Sequence, residues 1–286
     1  MKKVCISGAN GFIGRNLKAF LIKQGFQVES LSRDDITGSD TVLAEKISGS
    51  YAVINLAGAP IIHRWNKKYK EELYISRIRT TQRITNAIRN SALKPSMFIS
   101  TSAVGIYKNG SHNTETTFTY DTGYLGKICK DWEASAFTTA KLTRTVIFRL
   151  GVVIGKDGGA LKKLLPVFKL GFGGQIGNGK QGMPWIHIDD LLQAYLFMMN
   201  HSETDGIYNL TAPEILSNKG FTKIMGNVLR RPTLFTVPTF ALKLIYNEGS
   251  IALTDGAFVE PKRLLEDGFD FQYPDMEKAL QDIVKK

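Results

Sequence analysis

The chain has 286 residues, 43% of them hydrophobic and 22% charged, with a formal net charge of +11. That balance suits a soluble globular protein with an ample core and excludes a disordered or low-complexity chain. Two cysteines, and four histidines without ligand spacing, argue against a disulfide framework or a zinc site, and no apolar run is long enough to span a bilayer.

Val4, Cys5 and Ile6 form a short β-prone run that stops at Gly8-x-x-Gly11-x-x-Gly14. Phe12, Ile13, Leu17, Phe20 and Leu21 then follow at near-helical spacing. Strand, glycine turn and helix in that order make a dinucleotide fingerprint, here G-x-x-G-x-x-G rather than the commoner G-x-G-x-x-G. Glycines let a pyrophosphate approach the backbone, and the helix start offers it unpaired N–H groups and a positive dipole end. Gly8, Asn10, Gly11, Phe12, Ile13 and Gly14 are therefore candidate cofactor-binding residues. The same glycines interrupt the apolar run behind Lys2 and Lys3, so no signal peptide is expected and the expected compartment is the cytoplasm.

Gly25 marks the end of the first helix, and residues 26–33 alternate as a second strand. The end of this strand selects the cofactor, because an acidic residue binds the ribose of NAD whereas an arginine accommodates the 2′-phosphate of NADP. Ser32-Arg33 favours NADP(H) over NAD(H), with Arg33 facing the phosphate and Ser32 hydrogen-bonding to it. The alternative leaves Arg33 in solvent and gives the ribose to Asp34. Residues 36–50 are polar and short on periodicity. Residues 51–60 read as a buried parallel strand ending in small residues, with Leu56, Ala57 and Gly58 placed to touch a ligand over the sheet edge.

A long helix is predicted over 67–90 and is broken by Lys94-Pro95. The basic run around His63–Lys70 extends to Arg77, Arg79 and Arg83, but Glu71 and Glu72 interrupt it. It reads as a solvated face with some attraction for a phosphorylated ligand rather than a nucleic-acid site. Residues 96–107 form the next strand and run into Ser100, Thr101 and Ser102. After a polar loop comes a helix over 123–140, with Tyr124, Ile128, Cys129, Trp132 and Ala136 on one face. A strand over 144–155 and a helical stretch to 171 follow. Residues 175–181, glycine-rich and beside Lys180, are a plausible substrate loop. Trp185 to Asp190 is predicted to open a helix, with His187 read as structural. One more strand, 207–211, precedes mostly helices and loops.

Strands alternating with helices predict an α/β fold, a Rossmann-type doubly wound parallel sheet with a smaller C-terminal lobe. The expected division is 1–211 for the dinucleotide-binding domain and 212–286 for the lobe. The expected partner is a small-molecule substrate, with neither nucleic acid nor membrane.

The motifs together carry a resemblance. Gly8-x-x-Gly11-x-x-Gly14, Asn55-Leu-Ala-Gly58, Arg64-Trp65, Ser100-Thr-Ser102-Ala-Val-Gly105 and Trp132-Glu133 occur in order. So do Arg149-Leu-Gly-Val-Val-Ile-Gly155, Trp185-Ile-His187-Ile-Asp189-Asp190 and Glu260-Pro-x-x-Leu264-x-x-x-Gly268-Phe-x-Phe271. The chain resembles an extended short-chain dehydrogenase/reductase, within an atypical branch labelled nucleoside-diphosphate-sugar epimerase-like. The resemblance implies a serine that hydrogen-bonds the substrate oxygen, a tyrosine that moves the proton and a lysine four residues on that lowers the tyrosine pKa. Ser102 matches the serine and Tyr124 the tyrosine. The lysine position is Ile128, and Lys127 stands one residue early.

The catalytic candidates are thus Ser102, Tyr124 and Lys127, with Ser100 a candidate cofactor contact. Two readings of Tyr124 stay open, proton donor or packing residue beside a solvated Lys127. Readings stay open for Arg64-Trp65 as well: a cap on the cofactor, a wall of the substrate pocket, or an anchor at a helix start. The implied function is NADP(H)-dependent oxidoreductase or epimerase-like chemistry on a carbonyl or hydroxyl, a nucleotide sugar being one candidate substrate. The missing lysine favours a rival of another class, an NADPH-binding sensor without turnover.

Overall fold

The computed structural model describes residues 1–156 and 158–285. The chain opens with β1 (Lys3–Ser7), α1 (Phe12–Lys23) and β2 (Gln27–Leu31). Gly14, Leu17 and Leu21, three and four residues apart, give α1 one buried face. The polar stretch after β2 forms two short helices, α2 (Arg33–Thr37) and α3 (Asp40–Ile47). Leu43, Ala44 and Ile47 bury one side of α3, a pattern too short to register as periodicity. β3 (Ala52–Asn55) follows.

The helix predicted over 67–90 is present as α4 (Lys67–Tyr74), a π-helical turn at Ile75–Arg79 and α5 (Thr80–Asn90). Next come β4 (Met97–Ala103), the short β5 (His112–Asn113), α6 (Tyr124–Phe137) and β6 (Arg144–Leu150). The strand predicted over 144–155 divides at Gly151, where a Cβ would stand 2.8 Å from the Pro184 carbonyl oxygen. Its second half, β7 (Val152–Gly155), leaves the main sheet, turns back through β8 (Gly158–Gly159) and leads to α7 (Leu161–Lys169) and β9 (Gly174–Ile176). Trp185–His187 is a strand, β10, paired in parallel with β7, and α8 (Ile188–Asn200) begins only after it. This corrects the expectation that Trp185 opens a helix. β11 (Gly206–Leu210) completes the main sheet.

The remainder comprises α9 (Asn218–Leu229), β12 (Phe235–Val237), α10 (Thr239–Tyr246), α11 (Ile251–Thr254), β13 (Phe258–Val259), α12 (Lys262–Glu266) and α13 (Met276–Lys285).

The six-stranded sheet runs β11-β6-β4-β3-β1-β2, with every pairing parallel. The chain steps from β1 outward to β2, then returns to the other side of β1 for β3. Strand order therefore reverses between β1 and β3, the place where doubly wound sheets carry their ligand crevice, outside the C-terminal strand ends. Leu17 and Leu21 of α1 and Leu191 and Tyr195 of α8 cover one face of the sheet. Leu43, Ile84, Ile88 and Ala136, from α3, α5 and α6, cover the other. A separate core joins Leu161 and Phe168 of α7 to Phe221 and Met225 of α9 and to Met276 and Leu280 of α13.

The C-terminal segments are bonded into the sheet's edge. Arg263 donates to the Ile207 carbonyl at 2.9 Å and the Tyr208 hydroxyl at 3.1 Å. Asp190 accepts the backbone N–H groups of Gln272 and Tyr273 at 2.8 and 2.9 Å. Among the described residues, no helix is long and apolar enough to cross a membrane.

Candidate functional site

The glycines after β1 have three different jobs. Gly8 has a φ of +73°, and a Cβ there would meet the Leu56 backbone at 2.8 Å. Gly14 seats α1 on the turn, since its Cβ would fall 2.3 Å from the Gly8 carbonyl oxygen. Gly11 is exposed, and a Cβ there would have only that same oxygen within 4 Å, at 3.3 Å. Gly11 also stands at the N-cap of α1 and offers its first N–H groups no side chain. By contrast Ser32, Asn66 and Ser217 cap α2, α4 and α9. Uncapped donors at a helix start, with open space above a glycine, suit an anionic ligand. Phe12 packs its ring against Gly155, Gly158 and Gly159, where any Cβ would strike it, and Ile13 packs on the adjoining core. Both side chains are partly buried.

At the end of β2, Ser32 and Asp35 form a reciprocal capping box. The Ser32 hydroxyl accepts from the Asp35 N–H at 3.0 Å, and the Asp35 carboxylate accepts from the Ser32 N–H at 2.7 Å. Lys46 adds a salt bridge to Asp35 at 2.9 Å and holds its pKa below the ordinary carboxylate value. The Ser32 proton remains free to donate. Arg33 and Asp34 are both exposed at the mouth of this turn. On the far side of the crevice, Leu56, Ala57 and Gly58 follow β3, and Asn55 fixes their path by accepting the Ala57 N–H at 3.2 Å.

The catalytic candidates are not assembled as a serine–tyrosine–lysine set. Ser102 is 2% exposed and donates to Glu133 of α6 at 2.8 Å, so its hydroxyl points beneath α6 rather than to a substrate oxygen. Glu133 in turn takes a two-pronged ion pair from the fully buried Arg149, at 2.8 and 2.7 Å. Arg149 also donates to the Tyr107 hydroxyl at 2.8 Å, and Tyr107 to Asn209 at 2.6 Å. This chain of bonds ties β4, α6, β6 and β11 together under the C-terminal sheet edge. Burial alone would lower the Arg149 pKa, but Glu133 and Tyr107 more than offset it and leave it raised. Burial pushes the Tyr107 hydroxyl up to about 12.

Ser100 lies on the same face as Ser102, two residues back, and its buried hydroxyl has no partner among the described residues. It is 1% exposed, on the face of β4 that α5 and α6 cover.

Tyr124 is a packing residue in this structure. Its hydroxyl donates to the Lys70 carbonyl on α4, its ring meets Trp65 edge-on at 5.7 Å, and the Lys70 ammonium lies 4.6 Å from its centroid. Burial raises its pKa, the wrong direction for a base at neutral pH. Lys127 is exposed on another side of α6, and Ile128 is buried beside Trp65 and Trp132. Besides Glu133, Cys129 of α6 also faces Ser102, and burial pushes its thiol up to about 12.

Trp65 is fully buried and donates its indole N–H to the Ile61 carbonyl at 3.0 Å, while Arg64 donates to the Leu244 carbonyl at the end of α10 at 2.7 Å. The pair is an anchor, not a cofactor cap. Residues 175–181 are held by β9–β12 pairing and by Asn218, which accepts the Ile176 N–H at 2.7 Å, with Lys180 exposed. His187 caps α8 by accepting the Asp189 N–H at 3.2 Å, a structural role as expected.

Sequence reasoning assigned no role to Glu133, Arg149 or Tyr107, although the first two lie within the motifs. The available signal was Arg149 itself, a charge inside a continuous apolar run, which needs a buried partner.

Residues 4–211 match the NAD dependent epimerase/dehydratase family, and residues 237–283 match a domain of unknown function, DUF1731. The chain is 35% identical to the chloroplastic homologue of epimerase family protein SDR39U1 from Arabidopsis thaliana, over 99% of this chain and 86% of that one. It is 32% identical to the SDR39U1 protein of Homo sapiens, over 99% of each chain. A crystal structure of human SDR39U1 (isoform 2) with NADPH superposes with a TM-score of 0.93 at 31% identity, covering 99% of both chains. UDP-glucuronic acid 4-epimerase from Bacillus cereus, in complex with NAD, shares the fold at 16% identity and a TM-score of 0.77. With most of its length matched, the chain belongs to the NAD dependent epimerase/dehydratase family, the extended short-chain dehydrogenases/reductases.

Proposed function

We propose that this protein binds NADP(H) across the C-terminal ends of β2, β1 and β3 and acts on a carbonyl or hydroxyl group of a small molecule. The observation that carries the binding is the uncapped start of α1 above Gly11, where a pyrophosphate gains backbone N–H donors and the positive end of the helix dipole. The NADPH in the human relative's crystal structure supports the same choice of cofactor. Arg33 is exposed, and the Ser32 proton is free, so both suit a 2′-phosphate, while Asp35 is withdrawn into the capping box. When bound, the nicotinamide supplies hydride transfer. Leu56, Ala57 and Gly58 line its path, and the Ser102–Glu133–Arg149 chain keeps the adjoining strand ends rigid.

A second reading is a cofactor-binding sensor without turnover. It is favoured by the positions of Ser102 and Tyr124, whose hydroxyls donate to Glu133 and Lys70 respectively. Calorimetric titration with both nucleotides, followed by a carbonyl screen at 340 nm, separates the two. Turnover supports the enzyme, and tight binding without turnover on a broad panel supports the sensor. Arg33→Ala is expected to weaken NADPH about ten- to a hundredfold, as for the loss of a charged hydrogen-bond donor, with little effect on NADH. Equal losses for both nucleotides would contradict the 2′-phosphate assignment.

A further inference from the structure

Arg77 is a half-buried cation with no acidic partner among the described residues. It lies in the π-helical turn Ile75–Arg79, where the Thr80 N–H reaches back to the Ile75 carbonyl. Such turns widen a helix locally and recur at functional sites. The bulge is fixed, because Thr81 donates its hydroxyl to the Arg77 carbonyl at 2.7 Å while accepting from Asn55 and Trp132 at 2.8 and 2.9 Å. The guanidinium is thereby held against Gly58, where a Cβ would stand 3.3 Å from its central carbon, and 5.4 Å from the Trp132 ring.

Its bonds do not use it up. Nη2 donates to the Ala59 carbonyl at 2.8 Å, and Nη1 makes two long contacts, to the Leu73 carbonyl at 3.3 Å and the Ser76 hydroxyl at 3.5 Å. Nε–H and the second Nη2–H have no acceptor among the described residues. Arg149, which is fully buried, has the Glu133 carboxylate on two prongs. Arg144 also lacks an acid, but it donates to the Met198, His201 and Thr204 carbonyls at the end of α8, where the helix dipole favours a cation. Among the described residues Arg77 has neither a carboxylate nor a helix C-terminus, and burial depresses its pKa.

Its place in the crevice is specific. A dinucleotide laid from the end of β2 over the β1 turn brings its reactive end to the β3–β4 side. Gly58 and Ala59, against which Arg77 lies, are on that side. No lysine of α6 reaches there, since Ile128 fills the expected position and Lys127 is exposed.

We propose that Arg77 is the anion-binding residue of the substrate pocket, and that the substrate carries a carboxylate or phosphoryl group beside its reacting carbon. This rests on the dinucleotide reading above. A planar guanidinium with unused donors on one edge suits such an oxyanion, and the ligand's charge compensates one the fold leaves alone.

The test titrates oxalate, and separately inorganic phosphate, into NADPH-saturated protein, followed by calorimetry, for wild type, Arg77→Lys and Arg77→Met. At least one oxyanion should bind wild type. Arg77→Met should weaken it about tenfold or more and Arg77→Lys less, with the Kd for NADPH changed by under about threefold. Preference for oxalate marks a carboxylate substrate, and preference for phosphate a phosphoryl one. Should Arg77→Met fail to fold, Arg77→Lys decides, several-fold weakening supporting the site and unchanged binding overturning it. The proposal is also overturned if neither oxyanion binds, if both variants bind like wild type, or if the loss falls on NADPH instead. Arg77-dependent oxyanion binding by a protein that takes no NADPH would keep the anion site and remove the dinucleotide reading.

Discussion

His187 is 2% exposed, its ring tilted 39° against that of Tyr273 at 3.9 Å between centroids, and it accepts the Asp189 N–H through Nδ1. The neutral ring therefore carries its proton on Nε2, which lies 3.9 Å from an Asp282 carboxylate oxygen. Burial lowers the His187 pKa below 6.5, and the charges of Asp189 and Asp282 oppose this without reversing it. Below pH 6.5 the unfolded chain takes up a proton that the folded chain resists, so this residue's contribution to stability falls as pH falls. His187→Asn keeps an acceptor at the cap and removes the titration. The drop in Tm between pH 7.5 and 5.5 should be smaller in that variant than in wild type, and an equal drop would contradict the assignment.

At this scale the glycine turn was more legible in sequence than the packing of Ser102 and Tyr124. A glycine's requirement is local, and Gly8, Gly11 and Gly14 announce it by spacing alone. The direction of a side chain on α6 turns by roughly 100° per residue, so Tyr124, one position from Leu125, points to α4 while Cys129 faces Ser102. Spacing in a sequence does not resolve that difference without the packing.

Among the elements, the helix over 67–90 was legible because Leu73, Ile78, Ile84 and Ile88 keep one apolar side. The π turn inside it was not, since one widened turn leaves the composition of that side unchanged. The strand at 185–187 was missed because its three residues precede a helix without a breaker. Trp65 shows what joins the elements. Its N–H donates to the Tyr246 carbonyl at 3.1 Å, Asn247 donates back to its carbonyl at 2.9 Å, and Gly249 makes room for its indole. Trp65→Ala removes a fully buried ring that also fixes α10, and should destabilise the protein by about 3–5 kcal/mol in urea unfolding. Loss below about 1 kcal/mol would mean that this anchor is dispensable.

For the whole molecule, the parallel doubly wound sheet was readable from alternating strands and helices, whereas its strand order, with the reversal between β1 and β3 where such sheets take their ligands, came only with the structure. The buried polar chain from Ser102 to Asn209 was not readable, because it joins residues far apart in sequence through contacts that only the packed sheet creates. The central claim is that the glycine turn above α1 holds a dinucleotide. Calorimetric titration of wild type and Gly11→Val with NADPH and NADH tests it directly. The account predicts that wild type binds NADPH more tightly than NADH, and that Gly11→Val unfolds as cooperatively as wild type yet binds neither. No nucleotide binding by wild type, or undiminished binding by a folded Gly11→Val, would contradict it.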